Sequence, residues 1–245
     1  MCRHVAYLGP PITLKEIVLD PPGGLLEQSY APKDMRGGGT INADGFGVGW
    51  WAGDRFVRYR RPSPLWSDSG FADLAAVTTS GAILAAVRSA TVGMPVTEAA
   101  CAPYAGDGWL FSHNGVVPGW PDSVAKLAAQ LPVTDLMTLD APTDSALLWA
   151  LLRRQLNAGV DPASALRGLV ADVSASAPGA RLNLMLTNGH TIYATTFGHA
   201  LSVALSATRG VVASEPWSGI EWEAVPEKKL VIADRTTRTM EELCG

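Results

Sequence analysis

No CxxC pair, no HxH or HxxxH pair and no long run of basic residues occurs in the 245 residues. The three cysteines, Cys2, Cys101 and Cys244, are odd in number and widely spaced. A disulfide framework and a zinc knuckle are therefore not expected. Net charge is −4, which leaves no electrostatic footprint for nucleic acid. The most apolar stretch, 74–90, is broken by Thr, Ser and Gly and ends near Arg88, too polar to span a bilayer. Pro10 and Pro11 interrupt the first apolar run before a leader could form. A cytoplasmic protein with no membrane and no nucleic-acid partner is the expectation. No GxGxxG or GxxxxGK[ST] is present, and no helical pattern follows the alternating glycines of GFGVG, so nucleotide binding is not expected.

What remains is core-rich. Hydrophobic residues make up 47% and charged residues 17%, the composition of an ordered globular chain. The length suits a single domain over residues 1–245. Short apolar runs predict strands at 2–8, 45–52, 82–88 and 108–113. Helices are predicted at 72–78, 121–131, 145–156 and 162–173, the last with Asp161 as N-cap and Pro162 at its first position. Segments 181–187 and 191–197 alternate about Asn188-Gly189, a hairpin signal, and 201–207, 210–216 and 228–234 read as further strands. Strands, then helices, then strands indicate an α+β fold with layers of sheet and helix. Residues 21–39, rich in Pro and Gly, read as one long loop.

Four short stretches carry chemistry when taken together. In MCRHVAYLG, removal of Met1 would leave Cys2 with a thiol and a free α-amine. A free thiol titrates near about 8.5 and an α-amine near about 7.7–8.0, so the amine is matched to take the thiol proton and return it to a leaving group. A buried cysteine opening a strand is the plain alternative. In FSHNGVV (111–117), the Asn114 amide and the Gly115 N–H can aim two donors at one oxyanion, and an Asn-Gly turn is the alternative. Arg88, at a strand end, can grip a carboxylate through two parallel bonds or serve as a structural ion-pair arginine. Asp144, where a helix begins, can cap that helix or face an ammonium. The four groups fit one fragment: a γ-glutamyl amide with its α-carboxylate on Arg88, its α-ammonium on Asp144 and its carbonyl at Cys2.

Cys2, NADGFGVGW (42–50), VRSAT (87–91), FSHNG (111–115) and TDS (143–145) stand in the order that resembles the class II glutamine amidotransferases. The resemblance implies an N-terminal-nucleophile hydrolase with a four-layer αββα sandwich. It assigns Cys2 as nucleophile, Asn114 and Gly115 as oxyanion hole, Arg88 assisted by Thr91 as carboxylate ligand, and Asp144 as ammonium ligand. An HRGPD-type loop is absent, which resembles the compact stand-alone branch. MCRHVAYLG with VVASEPW (211–217) resembles members of that branch whose substrate carries a trimethylammonium group. An aromatic face would favour such a cation, and Trp217 and Trp50 are the residues expected to supply it. The implied activity is γ-glutamyl amide hydrolysis through a Cys2 thioester, with a small-molecule substrate, no metal, no organic cofactor and no synthetase partner. The alternatives are a glutaminase subunit feeding ammonia to a separate synthetase, and a non-catalytic γ-glutamyl binding module.

Overall fold

A computed structural model describes residues 2–36 and 41–243. Met1, Cys244, Gly245 and positions 37–40, which take in the end of the expected 21–39 loop, lie outside the described residues. In chain order the elements begin with β1 (Arg3–Thr13), α1 (Leu14–Val18), α2 (Leu25–Tyr30), β2 (Phe46–Ala52), β3 (Arg55–Arg61), α3 (Ser69–Val77) and β4 (Thr79–Val87). Then come β5 (Tyr104–Gly106), β6 (Trp109–Val116), α4 (Ala125–Ala128), α5 (Val133–Met137), α6 (Asp144–Asn157) and α7 (Pro162–Ser176). The last third is strand only: β7 (Arg181–Thr187), β8 (Ile192–Thr195), β9 (Ser202–Leu205), β10 (Gly210–Ala213), β11 (Glu223–Ala224), β12 (Lys229–Ala233) and β13 (Arg238–Glu242).

Two sheets result, seven strands in the order β11-β9-β10-β1-β4-β2-β3 and six in the order β13-β12-β8-β7-β6-β5. The strand pairs are antiparallel. Antiparallel sheets often wet one face, but these bury both, and the side-chain alternation shows how. Along β1, Val5 and Tyr7 pack with α1–α3, while Ala6 and Leu8 pack between the sheets. Along β4, Ile83, Ala85 and Val87 face those helices, while Ala82 and Leu84 face the second sheet. Along β7, Leu182, Leu184 and Leu186 face α6 and α7, while Met185 faces the first sheet. Three apolar layers thus separate helix, sheet, sheet and helix, which is the αββα sandwich.

The glycines of GFGVG have a packing reason. Gly47 and Gly49 pair with Ala86 and Leu84, so they share the inter-sheet face. A Cβ at Gly47 would strike the Ala102 carbonyl, and one at Gly49 would meet Leu110 at 2.7 Å. Bare backbone on this face lets the 101–110 segment close against β2.

Two expectations need amendment, and α1, α5, β3, β5, β11 and β13 arise where no element was expected. The 21–39 stretch is not one loop, because α2 lies within it. That helix has Gly24 as N-cap with no side-chain bond, so it lacks a sequence start signal. The 121–131 helix is a short 3₁₀ turn (Asp122–Val124) followed by α4. β3 was not foreseen, since its sequence RFVRYRR is arginine-rich, but it is an edge strand, where charge is usual.

Candidate active site

Strand parity gathers the site. Arg3 pairs with Val87 and His4 with Ala86, so Cys2 lies opposite Arg88 one residue beyond the strand ends. Cys2, like His4, Ala6 and Leu8, falls on the inter-sheet side, and Arg88 does so with Ala82 and Leu84. On β6, Leu110 faces the same space, which places Ser112 and Asn114 there too. The contacts agree: His4 Nδ1 lies 3.2 Å from Ser112 Oγ, and Asn114 Nδ2 donates to Ser214 Oγ at 3.4 Å. Ser214 in turn exchanges two bonds with His4, through its Oγ and its N–H, each at 3.0 Å.

Cys2 is partly exposed, and its Sγ lies 3.8 Å from the Ser89 carbonyl. It lines a cavity with Arg88, Tyr104, His113 and Ser145, floored by Phe46, Ala86 and Val87. Arg88 is held by its backbone, which donates to Gly45 O at 2.8 Å and accepts from the Asp44 N–H at 2.9 Å. Asp44 also accepts the Ala90 N–H at 2.8 Å, so the NADG segment shapes the turn after β4. One guanidinium nitrogen, Nη1, donates to Pro95 O at 2.9 Å. No carboxylate pairs with Arg88 among the described residues.

Asn114 and Gly115 lie within β6 and not in a turn, paired with Asn183 and Leu182. Asn114 is buried, and its Oδ1 has no partner among the described residues. The open valence is an acceptor; the donor side of the amide, Nδ2, is the side an oxyanion would use. β5 covers only Trp109–Phe111, so from Ser112 onward the β6 edge opposite β7 carries no strand among the described residues. Gly115 keeps a negative or extended φ; glycine is required there by contact, because a Cβ would run into the Arg181 carbonyl.

Asp144 is buried, and the helix cap is its neighbour: Thr143 Oγ1 accepts the Ala146 N–H at 3.2 Å. The Asp144 carboxylate accepts the Val117 N–H at 3.1 Å and the Ser145 N–H at 2.7 Å. It therefore ties the start of α6 to the end of β6. Ser145 Oγ stands 2.9 Å from His113 Nδ1 and 3.2 Å from Asp144 Oδ1. The other ring nitrogen, Nε2, lies 3.0 Å from Arg181 O, a carbonyl that only accepts, so Nε2 carries a proton. His113, Tyr104 and Ser145 were not singled out from sequence; His113 and Ser145 stood inside quoted motifs, but Tyr104 gave no signal.

Of the expected residues only Cys2 and Arg88 line the cavity; Asn114 lines a separate small pocket with Arg3, Asp34, His199 and Ser214, Gly115 and Asp144 line neither, and three more lie further off. Thr91 is exposed in the turn after β4. Trp50 pairs with Ile83 and packs with the α1–α3 helices, on the opposite face of the sheet from Cys2. Trp217 packs in that same layer against Trp222, with ring centroids 4.5 Å apart. An aromatic ligand wall built on Trp50 and Trp217 does not fit this arrangement.

The buried groups around the site are tuned by burial. Desolvation, aided by His113, His199 and Arg3, lowers His4 from 6.5 to about 3. Desolvation, aided by Arg181 and Arg3, lowers His199 from 6.5 to about 3. Burial raises the Cys101 thiol to about 11, and that thiol donates to Arg61 O at 3.3 Å and Thr97 O at 3.4 Å. Cys101 fills the space below Gly45 and makes a poor nucleophile beside Cys2. Among the described residues, no group of three or more His, Cys, Asp or Glu could hold a metal, and no helix is long and apolar enough to cross a membrane.

Comparison with known proteins gives a consistent picture. Residues 28–232 match the family described as "Glutamine amidotransferases class-II". The chain is 42% identical over 233 residues to the gamma-glutamyl-hercynylcysteine sulfoxide hydrolase of Mycolicibacterium smegmatis, covering 94% of this chain and 95% of that one. It is 42% identical over 232 residues to the protein of the same name from Mycobacterium tuberculosis, covering 94% and 92%. Among solved structures, a glutamine aminotransferase class-II domain protein from Silicibacter pomeroyi superposes with a TM-score of 0.71 at 24% identity, covering 99% of each chain.

Proposed function

The chain belongs to the class II glutamine amidotransferases, and from that premise we propose that it hydrolyses the γ-glutamyl amide of γ-glutamyl-hercynylcysteine S-oxide. The products are glutamate and hercynylcysteine S-oxide, a step of ergothioneine biosynthesis. The observation that carries the reading is that Cys2 and Arg88 lie opposite one another on the inter-sheet face, lining one cavity.

The reaction runs in two halves. The Cys2 sulfur attacks the γ-carbonyl, and the Asn114 amide with the Gly115 N–H holds the oxyanion. The C–N bond breaks, and the departing amine takes a proton from the Cys2 ammonium. A γ-glutamyl thioester remains. Water, deprotonated by the same α-amine, adds to the thioester carbonyl; the C–S bond breaks and the thiol is restored. Arg88 holds the α-carboxylate bidentately, and Asp144 with Ser145 serves the α-ammonium.

Acid quenching during turnover, followed by peptide mass spectrometry, tests the scheme. A γ-glutamyl group is expected on the Cys2 peptide of the processed wild type. Cys2→Ala is expected to show neither adduct nor turnover; turnover by that variant overturns the proposal.

A further inference from the structure

The two motifs CRH and SEP, more than two hundred residues apart, form one device. Arg3 and Glu215 are both buried, and Arg3 Nε meets Glu215 Oε1 at 2.6 Å. Arg3 Nη1 donates to the Cys2 carbonyl at 2.9 Å, and Nη2 donates to the Asp34 carbonyl. The other Glu215 oxygen, Oε2, accepts the Lys33 N–H at 2.9 Å. Gln28 Nε2 donates to Glu215 O at 3.3 Å and Gly23 O at 2.8 Å. Next door, Ser214 and His4 exchange two further bonds at 3.0 Å.

Three guanidinium nitrogens thus serve three acceptors, one of them the carbonyl of the residue carrying the thiol. Because Glu215 neutralises the guanidinium at contact distance, the arrangement offers geometry more than field. Lysine, with one nitrogen at the end of a flexible stem, cannot reproduce a planar three-way grip. We propose that Arg3, locked by Glu215, is a positioning residue for the Cys2 nucleophile, fixing its backbone and docking the 33–34 segment beside it. The proposal rests on the reading of Cys2 as nucleophile. A thiol held by its backbone within a near-attack geometry gains most of its advantage from placement, and a misplacement of about 1 Å costs on the order of 10²-fold in rate.

The test uses the processed full chain with Arg3→Lys and the paired change Arg3→Met/Glu215→Leu. Removing both buried charges together avoids stranding one of them, so the paired variant is expected to melt close to wild type. Its kcat for glutamate release is expected to fall about 100-fold, with KM within about threefold. Arg3→Lys, which keeps the charge, is expected to lose a similar factor. A folded paired variant or a folded Arg3→Lys with wild-type kcat overturns the proposal. Cys2 alkylation by iodoacetamide, read by mass spectrometry, needs no substrate. It is expected to change by about threefold or more, because the thiol no longer stands at a fixed distance from the Ser89 carbonyl and from Arg88 opposite. An unchanged alkylation rate overturns the clamp even if the substrate assignment itself fails, and a wild type that releases no glutamate sinks that assignment alone.

Discussion

Cys2 and Arg88 face each other across the ends of β1 and β4, one residue beyond the Arg3–Val87 pair. The spacing of an antiparallel ladder places directly opposed residues about 4.5–5.5 Å apart, close enough for one small molecule to touch both. A glutamyl group, with its carboxylate on the arginine and its γ-carbonyl at the sulfur, matches this pairing in kind.

The Asn114 side chain is buried with Oδ1 unpartnered and Nδ2 on a long bond of 3.4 Å. Under the proposed mechanism the amide acts on the oxyanion and not on the ground state, so Asn114→Ala is expected to lower kcat by about 10²–10³ with little change in KM. Steady-state glutamate release checks this. A variant within threefold of wild-type kcat places the oxyanion elsewhere.

At Gly115 the constraint is steric. A methyl there would meet the Arg181 carbonyl on the neighbouring strand, whose backbone cannot give without moving β7. Gly115→Ala is expected to cost about 3 kcal/mol, a drop in Tm of roughly 6–12 °C for a chain of this size. A thermal melt decides it, and an unchanged Tm means the β6–β7 edge is looser than described.

Acid stability follows from the two buried imidazoles. His4 and His199 sit at about 3 in the folded protein against 6.5 ordinarily. Between those values the unfolded chain binds more protons than the folded one, so stability rises with pH there and falls on acidification below about 6.5. Each histidine contributes a slope of up to about 1.4 kcal/mol per pH unit. Urea midpoints from pH 7 to 4 for His199→Gln should show a shallower decline than wild type; parallel curves contradict the assignment.

Much of this fold was legible from sequence, and the failures have identifiable causes. The hairpin at Asn188-Gly189 and the Asp161-Pro162 helix start appeared as read, since local chemistry alone decides them. α2 escaped because a glycine cap gives no signal, and β3 because its arginines look like a solvated loop. The Trp50 expectation failed on parity that the sequence itself carried: in GFGVGW the glycines and the tryptophan alternate, so they face opposite sides of the sheet. Arg3–Glu215 was invisible for another reason. Two polar residues 212 positions apart become partners only when β10 is laid beside β1.

The most direct measurement is glutamate release by the processed protein from γ-glutamyl-hercynylcysteine S-oxide and from glutamine, offered separately. A large kcat/KM preference for the sulfoxide, without any partner protein, is expected. A preference for glutamine would contradict it, keeping the Cys2 chemistry but making the chain an ammonia-supplying glutaminase.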